Sequence, residues 1–298
     1  MDLRTLRYFL AVTREGTISR AASVLHLTQP TLSKQMQDLE EELGANLFTR
    51  GKRGIVLTED GLFLRQRALE LLELADKTMA EFQAPKGAIS GEVVIGGGET
   101  DAMRILARAA QRVRQSNPQV AFRLFSGNAQ DVTERLERGL LDFGLFVEPA
   151  SLSGYDFLKL PVADRWGVLT RKDGPLAGLS HAKASDLVGL PLLISDQSMV
   201  TDEIAGWAGK NASHLNYVVH YHLLYNAALM VEEGLGHALC LDKIARTDSQ
   251  SPLCFLPLEP RLEVGLDIVW KKSRRFSHAA VAFLESLREE IAAQHVWP

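Results

Sequence analysis

Thr17-Ile18-Ser19-Arg20-Ala21-Ala22-Ser23-Val24-Leu25-His26-Leu27-Thr28-Gln29-Pro30-Thr31-Leu32-Ser33-Lys34-Gln35-Met36-Gln37-Asp38-Leu39-Glu40-Glu41-Glu42-Leu43 reads as two helices joined by a tight turn. In the second, Leu32, Met36, Leu39 and Leu43 recur at helical spacing, so this face is expected to be buried. The opposite face carries Pro30, Lys34 and Gln37, flanked by Thr31, Ser33 and Asp38, a row of hydrogen-bonding groups with a single cation. Thr28 is placed to cap the helix, and Pro30 falls in its first turn, where a missing N–H costs nothing. In the first helix Ile18, Ala21, Ala22 and Leu25 form a second apolar stripe, whose two alanines allow close approach. The pair fits a helix-turn-helix, which presents the start of its second helix to the major groove of duplex DNA. Thr28, Gln29, Pro30, Thr31, Ser33 and Lys34 are then candidate DNA contacts. An ordinary packed helix pair with a solvated outer face has the same periodicity, so the flanking segments must decide.

Upstream, Leu3, Leu6, Phe9, Leu10 and Thr13 mark a first amphipathic helix ending near Gly16. Downstream, Asn46 to Thr58 places two short apolar runs around a glycine-rich tip bearing Arg50, Lys52 and Arg53, the pattern of a β-hairpin. A basic hairpin beside a helix pair is the wing of a winged helix-turn-helix, and its cations suit backbone phosphates. Thr58 next caps a long helix with Glu59 and Asp60 in its first turn. Two apolar stripes follow: Leu64, Ala68, Leu71, Ala75 and Phe82, then Leu62, Leu69, Leu72 and Met79. A helix so long and apolar is expected to pair with a second copy of itself, so Leu62, Leu64, Leu69, Leu71, Leu72, Met79 and Phe82 are assigned to dimerisation. Ala84-Pro85-Lys86-Gly87 ends it.

From Glu92 the pattern alternates between strand and helix. Strands are expected at Val93–Ile95, Val120–Phe125 and Asp142–Phe146, with helices at Asp101–Gln115 and Gln130–Arg138, giving a parallel β-α-β-α-β unit. Gly167–Thr170, Leu192–Ile194, Tyr217–Val219 and Ala238–Leu241 continue as a second unit; Leu266–Trp270 and a helix over His278–Ala293 come last. Two α/β lobes with ligand groups at the strand carboxyl ends are the expectation. The fold class is thus α+β multi-domain. Residues 1–58 form the winged helix-turn-helix, 59–86 the linker helix and 87–298 a two-lobed α/β unit, with lobe I near 91–163 and 267–298 and lobe II near 164–266.

The 298 residues exceed one ordinary core, and 46% apolar with 23% charged content is that of a globular protein. The net charge of -4 argues against nucleic acid, but residues 1–58 hold eight Lys/Arg against six acids. So weak a basic balance calls for multivalent binding. No apolar run suits a bilayer and Met1-Asp2-Leu3-Arg4 lacks signal-peptide order, so a cytoplasmic protein without membrane contact is expected. Cys240 and Cys254 lack CxxC spacing and read as a reduced, buried pair.

Leu6-Arg7-Tyr8-Phe9, Gly16 to Ala22, Leu27 to Gln35, Leu39 to Gly44, Leu47-Phe48-Thr49-Arg50 and Leu57 to Gly61, in this order, resemble the DNA-binding signature of the LysR-type transcriptional regulators. Leu141 to Leu145 and Val231 to Gly236 are similar to weaker signatures of that family's effector domain, which has the periplasmic-binding-protein fold. The resemblance implies a sequence-specific regulator, a homodimer or homotetramer on paired promoter sites of double-stranded DNA, controlled by a small-molecule effector. RNA polymerase is a further candidate partner, and no cofactor or metal is implied. It maps DNA contacts onto Gln29, Thr31, Ser33, Lys34, Arg50 and Arg53. Lys34 lacks the guanidinium fork that reads guanine, so phosphate is its expected partner.

The family's ligand loop corresponds to Gly96-Gly97-Gly98-Glu99-Thr100-Asp101. Gly98, Glu99, Thr100, Asp101, Ser126, Asn128, Ser198 and Thr201 are the expected pocket. Glu99 and Asp101 would place two negative charges at a helix start, favouring a cationic, neutral or hydroxylated effector over a simple carboxylate; Asp101 is equally well read as a helix N-terminal charge. An enzyme is a rival class, but no GxSxG, Walker loop, HExxH or GxGxxG is present. His220 and His222 have metal-compatible spacing on an expected strand, with a structural role the better reading. A solute-binding protein is the second rival; it would carry an export signal in place of the helix-turn-helix.

Overall fold

The computed structural model describes residues 1–51, 54–83, 89–148, 152–196 and 198–294. The chain divides into two compact units, Met1–Gln83 and Ala84–Pro298.

In the first, α1 (Leu3–Glu15), α2 (Ile18–Val24) and α3 (Gln29–Leu43) close around Leu6, Phe9, Val12, Ala21, Leu32, Met36 and Leu39. Each helix start is satisfied by the polar residue before it. Asp2 accepts from the Thr5 N–H at 2.7 Å, Thr17 from Arg20 at 3.3 Å and Thr28 from Thr31 at 3.4 Å. Gly44 ends α3 at φ +65, in the left-handed region where glycine is unstrained. Leu43, expected on the buried face, is 41% exposed because it is the last helical residue and the core stops one turn earlier.

The hairpin β1 (Phe48–Gly51) and β2 (Gly54–Leu57) is antiparallel, Phe48 opposite Leu57. It is held by groups far away in sequence. The Glu40 carboxylate accepts from the Leu47 and Phe48 amides at 2.7 and 3.2 Å, and the Ile55 amide donates to the Gly16 carbonyl at 2.9 Å. At Gly54, φ +138, a Cβ would lie 2.5 Å from that carbonyl, so only glycine fits.

Thr58 caps α4 (Glu59–Gln83) by accepting from the Gly61 N–H at 3.0 Å. Leu64, Ala68 and Leu72 bury themselves in the same core as Leu6 and Phe9, and Arg7 of α1 pairs with Asp76. This corrects the assignment of Leu64 and Leu72 to dimerisation: both are 8% exposed and already packed within their own chain. The two expected stripes are therefore drawn differently. Leu64, Ala68 and Leu72 form one inward row, while Leu62, Leu69, Leu71, Met79 and Phe82 stay exposed.

The second unit is built on a nine-stranded sheet ordered β4-β3-β5-β11-β6-β9-β7-β8, with β10 also on β6. Its strands are β3 (Gly91–Gly97), β4 (Val120–Ser126), β5 (Phe143–Val147), β6 (Tyr155–Arg171), β7 (Pro191–Ser195), β8 (Asn216–Tyr221), β9 (His237–Leu241), β10 (Leu253–Pro257) and β11 (Glu263–Lys271). The helices are α5 (Met103–Ser116), α6 (Ala129–Glu137), α7 (Ala184–Leu187), α8 (Ser198–Ala208), α9 (Leu224–Glu232) and α10 (His278–Gln294). β4-β3-β5 and β9-β7-β8 are parallel, as the alternation predicts. The difference lies between them. β6 is 17 residues long, pairs antiparallel with β11 through Arg165, then with β9 and β10 from Trp166 onward, so two half-sheets share one strand. Only its second half was legible, because the first mixes exposed and buried positions irregularly. Helices cover both faces of each half: α5 and α10 against α6 in the first, α7 and α8 against α9 in the second.

Candidate functional site

The exposed side of α3 carries Thr28, Gln29, Pro30, Thr31 and Lys34, with Ser33 half-buried. Leu32, Met36 and Leu39 fix the helix from behind. The Thr28 and Thr31 hydroxyls bond to each other at 2.8 Å. Lys34 Nζ meets Asp38 Oδ1 at 2.8 Å, and the neighbouring carboxylate raises the pKa of the ammonium. The ridge is therefore exposed, and its one cation is paired with the acid one turn away. Arg50 lies in β1, where the backbone alone is described; Lys52 and Arg53 lie outside the described residues.

In the second unit, the carboxyl ends of β3 and β4 meet the start of α5 and the segment after β9 around a cavity of about 410 Å³. Gly98, Glu99, Thr100, Asp101 and Ser126 line it, joined by Met103, Arg104, Leu124, Lys243 and Ile244. Of the expected pocket residues, those five come together. Asn128 does not: its side chain accepts from the Asp131 N–H at 2.8 Å and caps α6. The side chains of Ser198 and Thr201 lie outside what is described.

The polar groups of the loop after β3 are committed within the protein. Thr100 is 9% exposed; its hydroxyl donates to Asp164 and accepts from the Ala102 N–H at 3.1 Å. Asp101 pairs with Arg104 at 2.6 Å; it precedes Ala102, the N-cap of α5, and the first turn of that helix holds no acidic residue. Glu99 accepts from the Leu224 amide at the start of α9. The expected pair of negative charges is therefore already partnered within the protein, and Lys243 adds a cation to the wall. Asp164, buried where β6 changes partners, has its carboxyl pushed up by burial, an effect opposed by the Thr100 hydrogen bond and reinforced by Asp242. Asp164, Arg104 and Lys243 were missed from sequence. Arg104 had a local signal three residues from Asp101, and Lys243 had one in its place after a strand's carboxyl end.

The two histidines are not a matched pair on a strand: β8 ends at Tyr221, so His222 lies beyond it, while His220 Nδ1 is 3.8 Å from Asp196. Among the described residues no group of three or more His, Cys, Asp or Glu forms a metal-holding cluster. Cys240 is buried, its thiol pushed up to about 12 by burial, whereas Cys254 is only half-buried, a departure from the expected buried pair. Among the described residues no helix is long and apolar enough to cross a membrane.

A winged helix-turn-helix with an outward polar ridge, followed by a long helix and a two-part α/β unit with a cavity at its strand ends, defines a DNA-binding regulator with its own sensor. Comparison with known proteins narrows the class. Residues 3–62 match the bacterial regulatory helix-turn-helix protein, lysR family, and residues 86–292 match the LysR substrate binding domain. The Hca operon transcriptional activator HcaR of Escherichia coli (strain K12) is 28% identical over 298 residues, 98% of this chain and 99% of its own. The HTH-type transcriptional activator IlvY of Salmonella typhimurium (strain LT2) is 34% identical over 210 residues, 70% of each chain. The crystal structure of CbnR, a LysR family transcriptional regulator, aligns with TM-score 0.79 at 21% identity, over 98% of this chain and 99% of that one. The chain belongs to the LysR family of transcriptional regulators: it binds DNA through its helix-turn-helix and carries a substrate-binding effector domain.

Proposed function

We propose that Gln29, Thr31 and Ser33 read bases, that Thr28 and Pro30 shape the helix start against the groove, and that Lys34, Arg50, Lys52 and Arg53 hold phosphates. The carrying observation is the exposure of Gln29, Pro30, Thr31 and Lys34 on a helix whose other face is buried. CbnR, similar in fold, has a structure in complex with its target DNA, at TM-score 0.76. The reader is residues 1–58, the linker 59–86 and the sensor 87–298. The weakly basic reader binds as a homodimer or higher homo-oligomer joined through Leu62, Leu69, Leu71, Met79 and Phe82, the apolar residues of the linker helix that its own core leaves exposed. The protein acts in the cytoplasm and is not an enzyme.

The effector enters the 410 Å³ cavity, within the size range of small-ligand sites, and meets Gly98, Ser126, Met103 and Leu124. With Glu99, Thr100 and Asp101 engaged by the protein, the wall offers apolar surface, the Ser126 hydroxyl and the Lys243 ammonium. The test is selection of genomic DNA fragments by the full-length chain, repeated with Gln29→Ala, Ser33→Ala and Lys34→Gln. The first two are expected to change which fragments are recovered; Lys34→Gln is expected to weaken all alike and flatten the salt dependence by about one unit. Uniform weakening by all three would refute the division.

A further inference from the structure

Three consecutive residues after β3 each tie to a different element. Asp101 bonds to Arg104 in the first turn of α5, Thr100 to Asp164 of the strand shared by both half-sheets, and Glu99 to α9 of the second half. Only the last contact bridges the halves without following the chain. At its receiving end Leu223, the N-cap of α9, provides no side-chain hydrogen bond, and the amide of the buried Leu224 donates to Glu99 instead. A helix start is a partial positive charge with unsatisfied donors, and a carboxylate is the group that best meets both needs. Here the carboxylate comes from 125 residues away.

Glu99 also stands at a junction of cavities. It lines the 410 Å³ cavity on the first half and a second one of about 460 Å³ along α9, and Ile244 is the other residue common to both. A molecule filling the first cavity therefore touches the same side chain that holds the second half.

We propose that Glu99 is a carboxylate latch, the chain's own ligand for the start of α9, which holds the two halves of the sensor together before any effector enters. An effector that bonds to this carboxylate releases α9 and lets the halves separate; one that leaves it alone keeps them tied. The regulatory meaning rests on the sensor reading above, but the latch itself is tested without an effector, so the two fail separately.

The experiment uses the full-length chain in a Cys254→Ser background, spin-labelled at Val281→Cys in the first half and Val188→Cys in the second, both exposed positions, and mixed with an excess of unlabelled chain so that the distance read lies within one protomer. With Glu99 intact a single narrow inter-label distance is expected. Glu99→Ala is expected to broaden and lengthen it, and to speed hydrogen exchange at the Leu224 amide roughly fivefold, the size of a lost helix cap. Sodium acetate, titrated at constant ionic strength with chloride as control, is expected to slow exchange at the Leu224 amide saturably in Glu99→Ala while the inter-label distance stays long, because free acetate meets the helix start without tying the halves, and to leave the parent unchanged. Glu99→Gln, which keeps an acceptor oxygen but no charge, is expected to give intermediate exchange. An unchanged distance in Glu99→Ala overturns the proposal, as does Leu224 exchange that acetate and chloride affect equally. Should Glu99→Ala fail to fold, parent-like exchange in Glu99→Gln overturns it.

Discussion

The recognition helix and the loop after β3 are both polar stretches beside a helix start, yet they spend their side chains in opposite ways. On α3, Gln29, Pro30, Thr31 and Lys34 face outward, and apart from the Thr28–Thr31 and Lys34–Asp38 contacts the ridge remains available. After β3, Glu99, Thr100 and Asp101 are each engaged by another part of the protein, across 125, 64 and 3 residues. A polar residue in a plausible site is a candidate only until its partners within the fold are known. For a helix surface those partners lie within four residues; for the loop after β3 this holds for Asp101 but not for Glu99 or Thr100.

The sharpest way to break the contrast is to disturb the scaffold that frees α3 from other duties. A Cβ on Gly61 would lie 2.1 Å from the Leu47 carbonyl, where α4 crosses the hairpin. Gly61→Val is expected to cost about 3 kcal/mol or more, read as loss of a cooperative thermal transition and of DNA binding. Next in size is a paired comparison on α4. Leu72→Ala removes a side chain 8% exposed in the core and is expected to destabilise the unit by about 2 kcal/mol in denaturant titration. Leu69→Ala, at a residue 56% exposed, is expected to leave that midpoint nearly unchanged and shift sedimentation toward smaller species. If the two effects exchanged places, the division of α4 into an inward and an outward row would be wrong.

A smaller effect tests whether the sensor's polar groups serve the fold. Burial raises the Asp164 carboxyl above its usual 3.8, so the folded state binds this proton more tightly than the unfolded chain does. The resulting stability is full below the unfolded value and is lost as pH rises through the raised one. Asp164→Asn keeps an acceptor for Thr100 and cannot ionise, so thermal midpoints should fall less with pH above 3.8 than in the parent. An unchanged pH profile would show that this buried carboxyl does not govern the fold. The smallest effect belongs to the outward ridge. Asp38→Asn frees Lys34, and affinity for all DNA sequences should rise roughly two- to threefold at low salt, as for an exposed ion pair; no rise would mean that Lys34 faces no phosphate.

These differences also set what the sequence could disclose. The three helices, the hairpin and α4 follow from spacing, caps and turn residues, because the forces that shape them act between near neighbours. The need for glycine at positions 54 and 61 was hidden, since it comes from carbonyls at positions 16 and 47. Leu64 and Leu72 were read as a surface for another subunit because an apolar stripe does not state which partner covers it; α1 does. The parallel strands were legible by their apolar runs, while the first half of β6 and the short β10 were not. Five of the eight candidate pocket residues converge on one cavity, but the duties of Glu99 and Thr100 depend on α9 and on Asp164, whose approach no local pattern announces.

The shared strand β6 has a consequence for how the protein is made. The first half-sheet is complete only when β11 and α10, ending at Gln294, have been supplied, whereas the first unit closes at Gln83. Ribosomes add about 5–20 residues per second, so a newborn chain carries a finished groove reader for on the order of ten to forty seconds before its sensing half can assemble.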